Sequence, residues 1–241
     1  MRRDLNLEPR LMAVAGFVPA GRVVADIGAD HAYLGIWLVL RGRVPKVVAT
    51  EASAGPAQRA LKNIRRYGVE DRVEVRVGSG LGVLCPGEAE VLVMAGMGGQ
   101  TMISILESGG RVLEASKRLV LQPMTGAGKL RKWLVSKGFR FLDEVLVEEK
   151  GRFYEVICVE AGTERVDDEI LFEIGPVIWR KPDPLLRRFL RQKLSRYRQL
   201  LKMTTTMANS ENPGAKGAAQ AFREKCEVLE AMLSCLPKSE G

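Results

Sequence analysis

The chain has 241 residues, is 46% hydrophobic and carries a formal net charge of +8. That length holds one full α/β domain plus an extra element, and no apolar run approaches the ~20 residues that span a bilayer. The first residues lack the apolar stretch of a secretory signal. The four cysteines are scattered with no Cys-x-x-Cys pair, and one histidine leaves little material for a metal site or a Ser-His-Asp triad. Free thiols in a reducing cytoplasm are the expected state.

In chain order, Leu5–Val18 reads as a helix, followed by a strand at Arg22–Ile27. Its apolar run ends on Asp26, with Gly28, Asp30 and His31 just beyond. Further strands are expected at Val44–Thr50, Arg72–Val77, Glu90–Met94 and Arg118–Leu121. Helical patterns lie between these first five, including Ala54–Tyr67 and Gly126–Lys137. Strands separated by helices imply a parallel sheet covered on both faces. Arg140–Glu148 and Arg152–Glu160 flank Glu149–Lys150–Gly151 with no room for a helix, so they form an antiparallel hairpin at the sheet edge. The fold class is therefore α/β: a Rossmann-like, mostly parallel sheet with a terminal antiparallel hairpin, of the kind usual in methyltransferases that use S-adenosylmethionine.

Beyond residue 162 the composition changes. Leu186, Leu190, Leu194, Tyr197 and Leu201 form one stripe of a helix over Leu185–Met203. Phe222, Cys226, Leu229, Leu233 and Leu236 form a second, after a loop at Thr204–Lys216 that holds the turn Asn212–Gly214. The pattern predicts a domain at 1–162 and a helical C-terminal domain at 163–241, built as an antiparallel, coiled-coil-like helix pair. From Arg180 to Lys202 there are nine basic residues and one acid, Asp183. Such a run is either a solvated helix face or a phosphate-binding surface.

The motifs point to a nucleotide-like ligand with a cationic centre. An open α/β sheet binds such ligands at the carboxyl edge of its first strand. Asp26 and Asp30 there would repel a diphosphate, and one glycine at 28 is not the three-glycine dinucleotide fingerprint. S-adenosylmethionine, with a sulfonium, an ammonium and a ribose, suits the acids better. Glu51, at the end of the second strand, is placed to accept ribose hydroxyls. Gly78, Ser79, Gly80 and Leu81 follow the third strand and could border an adenine. Ala95, Gly96, Met97, Gly98 and Gly99 follow the fourth, where glycines let backbone approach a ligand. Each has a plainer reading: Asp26 and His31 as caps, Glu51 as an exposed acid, Gly78–Leu81 as a loop, Met97 as core packing. No zinc or other metal site is expected.

Taken together, the residues resemble the bacterial tRNA (adenine-22-N1)-methyltransferases of the TrmK type. The resemblance rests on Leu7–Val14, on Ala25–Leu34 with its Asp-His-Ala-Tyr-Leu, on Gly78–Leu81, on Ala-Gly-Met-Gly-Gly at 95–99, on Leu121–Pro123, on Leu130–Leu134 and on Tyr154–Glu155. It implies methylation of N1 of adenine 22 in tRNA by S-adenosylmethionine, in a cytoplasmic monomer. Asp30, His31, Met97, Gly98 and Tyr154 become the catalytic candidates, and Asp26 joins the cofactor site. Arg10, Arg187, Arg188, Arg191 and Arg198 become the candidates for RNA contact. Three positions depart from the family pattern: Gly35 replaces a common proline, Met124 an asparagine and Ser79 a frequent asparagine. Three other readings stay open: a methyltransferase acting on another nucleic acid or on protein, a non-catalytic RNA-binding protein with a relic cofactor fold, and a coiled-coil-mediated scaffold, which the basic helix fits poorly.

Overall fold

The computed structural model describes residues 5–208 and 213–237. A helix α1 (Pro9–Phe17) leads into β1 (Val24–Ile27), α2 (Tyr33–Leu40), β2 (Val47–Glu51), α3 (Ala54–Tyr67) and β3 (Val73–Val77). Then come β4 (Val91–Met97), α4 (Gly99–Glu107), α5 (Gly110–Ala115), β5 (Arg118–Pro123) and α6 (Ala127–Ser136), followed by β6 (Phe139–Glu149) and β7 (Arg152–Ala161). The strands form one sheet in the order β3-β2-β1-β4-β5-β7-β6. Strands β1 to β5 are parallel, and β7 runs antiparallel to both β5 and β6. Every residue of β1 and β2 is buried. This is why those strands read as nearly continuous apolar runs: helices cover both faces. The chain turns from one half of the sheet to the other between β1 and β4, so their carboxyl ends flank the switch point where a crevice opens.

Two expectations change. No helix joins β3 to β4; residues 78–90 run as turns, because Gly78, Gly80, Gly82, Pro86 and Gly87 leave no uninterrupted helical stretch. Strand β4 also runs on to Met97 through a register shift between Ala95 and Met97.

The chain divides into two compact units, Met1–Asp167 and Asp168–Gly241. The expected boundary at 162 falls short because the next residues are tied to the first unit. The Gly162 N–H donates to the Gly138 carbonyl at 2.7 Å, and Glu164 Oε2 accepts the Phe141 N–H at 3.1 Å. The second unit holds α7 (Ile170–Ile174), α8 (Pro176–Arg180), α9 (Leu186–Ala208) and α10 (Pro213–Cys235). The last two pack antiparallel, with Tyr197 on Phe222 and Arg198 on Glu230. Leu186, Leu190 and Leu194 are buried along α9, as are Cys226 and Leu229 along α10. Helix α9 continues through the expected loop at Thr204. The Thr204, Thr205 and Thr206 hydroxyls donate to carbonyls one turn back, which lets these β-branched residues stay helical. Of the expected turn Asn212–Gly214, Asn212 lies outside the described residues and Pro213 already belongs to α10.

Candidate active site at the switch point

The ends of β1 and β4, the loop after β1 and the start of the chain enclose a cavity of about 640 Å³. Asp26, Gly28, Asp30 and His31 wall it on the β1 side, and Ala95 and Gly96 on the β4 side. Tyr33, Tyr67 and the N-terminal stretch from Leu5 to Leu11 complete it. Sequence reading singled out Arg10 and Leu7–Val14 but not as a wall of the site, since nothing in a helix start marks it as a cavity lining.

The β1 side is built on strained backbone. Gly28 has φ +72°, as Gly96 on the facing β4 side has φ +80°, and a Cβ on Gly28 would sit 3.0 Å from Met97 Cε. Asp30 and Ala32 also have positive φ, +50° and +54°, which costs each non-glycine residue about 1 kcal/mol or more. Side chains hold this turn in place. The Asp30 N–H donates to Glu51 Oε1. The Asp30 carboxylate accepts from Arg59 Nη2 at 2.7 Å. Asn63 Nδ2 donates to the His31 carbonyl at 3.0 Å. His31 stacks on Tyr33 with ring centroids 5.4 Å apart.

Two acids are buried here. Asp26 is 4% exposed, and burial, with a second push from Glu51, raises its pKa from the usual 3.8 to about 7. Burial also raises Glu51, against the opposing pull of the Asp30 N–H. Among the described residues neither acid forms an ion pair, and the Asp26 carboxylate accepts no hydrogen bond. A buried carboxylate left unpaired at a cavity wall suits a cation or a hydrogen-bond donor arriving from outside.

The remaining predicted residues distribute unevenly. Met97 and Gly98 sit half-buried at the β4 end. Gly78 is held beside β2, its N–H donating to the Glu51 carbonyl at 2.7 Å. Ser79 is exposed, whereas the Leu81 side chain is 1% exposed and packs toward Gly109. Tyr154 on β7 is half-buried with the Arg10 guanidinium 5.6 Å from its ring centroid, so one ring face is already occupied. Arg10 turns inward rather than toward phosphates: its Nη1 donates to Gln122 Oε1 at 2.7 Å. Arg187 caps α10, donating to the carbonyls of Leu236 and Pro237, a placement favoured by the negative helix end. Arg198 pairs with Glu230 at 2.8 Å. Arg188 and Arg191 remain solvent-exposed on α9.

Away from the cavity, sequence reading also missed a buried ion-pair cluster. Arg131 on α6 and Glu144 on β6 are both fully buried and 2.6 Å apart, and Glu155 on β7 lies 2.7 Å from Arg131. Burial works to lower the arginine pKa, but the two glutamates outweigh it and keep the group charged. At Gly35, where the family pattern has proline, a Cβ would come within 2.9 Å of Val47 Cγ1. The bare backbone there lets α2 lie close on β2.

Residues 7–157 match the methyltransferase-domain family. The chain is 33% identical over 235 residues to the tRNA (adenine(22)-N(1))-methyltransferase of Bacillus subtilis strain 168, an alignment that covers 95% of this chain and 98% of that protein. The crystal structure of the B. subtilis m1A22 tRNA methyltransferase TrmK superposes with a TM-score of 0.87 at 31% identity, over 95% of this chain and all of that one. The Streptococcus pneumoniae protein Sp1610, crystallised in complex with S-adenosyl-L-methionine, superposes with a TM-score of 0.84, also at 31% identity and the same coverage. The fold and cavity thus sit inside a group whose resemblance runs the length of the chain, and the protein belongs to the tRNA (adenine(22)-N(1))-methyltransferase family.

Proposed function

We propose that this chain transfers a methyl group from S-adenosylmethionine to N1 of adenine 22 in tRNA. The observation that carries the reading is the buried, unpaired Asp26 at the switch-point cavity, in a chain whose whole length aligns with a tRNA (adenine(22)-N(1))-methyltransferase. The residues fit the donor. Asp26 offers an ionisable acceptor to an ammonium, and Gly28 and Gly96 keep the walls free of side chains. Glu51 retains a second carboxylate oxygen for a ribose hydroxyl, and Ser79 and Gly80 would border the adenine.

When bound, S-adenosylmethionine supplies an electrophilic methyl on a sulfonium. Adenine N1 has a free lone pair at neutral pH and needs no base to become a nucleophile. The lone pair forms the N–C bond as the C–S bond breaks and its electrons stay on sulfur; the positive charge passes to the base. The protein's part is alignment and electrostatics. Gly96–Gly98 would shape the transfer point, Asp30 would keep the β1 turn in register, and His31 and Tyr154 would flank the base. N1 lies on the pairing edge, so the adenine must leave its stack at a cost of a few kcal/mol. The exposed Arg188 and Arg191 would contact phosphates. We take the acting species to be a monomer, in the cytoplasm, on free tRNA.

Incubation of unmodified tRNA with methyl-labelled S-adenosylmethionine, then nucleoside mass spectrometry and position mapping, tests this. The expected product is 1-methyladenosine at position 22. Label on another base or on protein, or none at all, would overturn the assignment.

A further inference from the structure

We propose that Gln122 is a positioning residue that holds the Gly96 peptide at the transfer point, and that Arg10 locks it, so that Arg10 serves the reaction rather than the RNA grip. This rests on the function proposed above. The starting point is a break in the sheet. Strand β4 pairs with β5 in regular register up to Ala95, then shifts, and pairing resumes at Met97. A bulge of this kind leaves one residue out of the ladder with an unpaired N–H. That residue is Gly96, with φ +80°, at the cavity wall.

Gln122 repairs the break from the neighbouring strand. Its side chain is fully buried, and its Oε1 accepts the Gly96 N–H at 3.1 Å. The same oxygen accepts Arg10 Nη1 at 2.7 Å, while Nε2 donates to the Pro123 carbonyl at 3.1 Å. A primary amide can present either its oxygen or its NH₂ to a given side. A guanidinium only donates, so Arg10 admits one orientation, the one that puts an acceptor on Gly96. Arg10 is itself anchored at both ends. Its own N–H donates to Glu149 Oε2 at 3.1 Å, and its guanidinium lies against Tyr154. The hairpin, α1, β5 and the β4 bulge are thus joined by one chain of contacts ending at the wall where the base must align. A shift of Gly96 would misplace the transfer point without removing any group that touches the donor.

Gln122→Met and Arg10→Ala in the full chain test this with two readouts. The first is amide hydrogen exchange at Gly96, followed by NMR in the absence of tRNA. The second is methyl transfer, with tRNA affinity measured across salt concentrations. Exchange at Gly96 is expected to quicken at least ~tenfold in both variants. The turnover rate should fall by roughly 10- to 100-fold, with the tRNA KM and the salt slope unchanged. Gln122→Glu keeps an acceptor for both donors and should recover most of the Gly96 protection. Unaltered Gly96 exchange in Gln122→Met would overturn the inference. So would a salt slope in Arg10→Ala reduced by about 1, the mark of a lost phosphate contact. If the unaltered chain transfers no methyl to tRNA, the proposed function fails, and the exchange result alone decides for or against Gln122.

Discussion

The protein buries carboxylates in two places and treats them in opposite ways. At the base of the hairpin, Glu144 and Glu155 face the buried Arg131 guanidinium at 2.6 and 2.7 Å. At the cavity wall Asp26, and against the Asp30 backbone Glu51, are buried with no ion-pair partner among the described residues. The first arrangement supplies its own counter-charge and fastens α6 to the two hairpin strands. The second is incomplete, and its cost appears as the upward shift of both acids. Burial of a charge is tolerable when the partner is internal. When the partner is missing at a concave surface, it is expected from solution. The contrast separates a fastening from a binding site more sharply than burial alone.

Breaking the ion-pair cluster should have the largest effect. Arg131→Met leaves Glu144 charged and enclosed, and is expected to cost about 3–5 kcal/mol of unfolding free energy. Chaotrope unfolding would measure it. Replacing Arg131→Met together with Glu144→Leu should return part of that loss, because the fully buried carboxylate is gone and only Glu155, 12% exposed, still loses its arginine. Equal loss in the single and double variants would show that shape rather than charge pairing fastens the hairpin.

The incomplete pair should respond with the opposite sign. Folded Asp26 keeps its proton up to about pH 7, whereas the unfolded chain releases it near 3.8. The folded state therefore binds more protons across that window, and the stability tied to Asp26 declines as pH rises through it. Asp26→Asn should raise the melting temperature at pH 8, by an amount equivalent to about 1–3 kcal/mol, and the gain should vanish below pH ~4. The same change should weaken binding of S-adenosylmethionine by roughly 10- to 100-fold, the loss of a charge-assisted contact. In the unaltered chain, donor affinity should fall by up to about tenfold per pH unit below 7. A flat calorimetric profile between pH 5 and 8 would separate Asp26 from the donor. Glu51→Ala should act more mildly, about tenfold on the donor with little change in tRNA affinity, since one of its oxygens is engaged with the Asp30 N–H.

This division was only half legible beforehand. The strands showed because parallel strands buried on both faces must be apolar throughout, and Ala54–Tyr67 matched α3 residue for residue. Asp26 and Glu51 showed because an acid directly after an apolar run stands at a strand end. The Arg131 cluster did not, because its members lie far apart in sequence and meet only once α6 packs on the hairpin. The contacts of Arg10 were hidden for a related reason. A lone arginine in an N-terminal helix looks like a surface charge until the sheet brings Gln122 beneath it. Arg187 and Arg198 were read as one basic stripe, but Arg187 turns to the end of α10, and Arg198, though exposed, shares its charge with Glu230.

That last distinction leads to the smallest effects. If α9 contacts tRNA, Arg187 should contribute least, because its guanidinium already serves the carbonyls that end α10. Arg191→Ala should lower the slope of log affinity against log salt by about 1 and weaken binding a few-fold at moderate salt. Arg187→Ala should leave that slope nearly unchanged and instead lower the melting temperature, because the carbonyls of Leu236 and Pro237 lose their donor. Filter binding over a salt series, run beside thermal melts, reads both quantities in one set of variants. A slope change in Arg187→Ala as large as in Arg191→Ala would mean that position within the hairpin does not sort the arginines. The basic run would then act as a diffuse field rather than as discrete phosphate contacts.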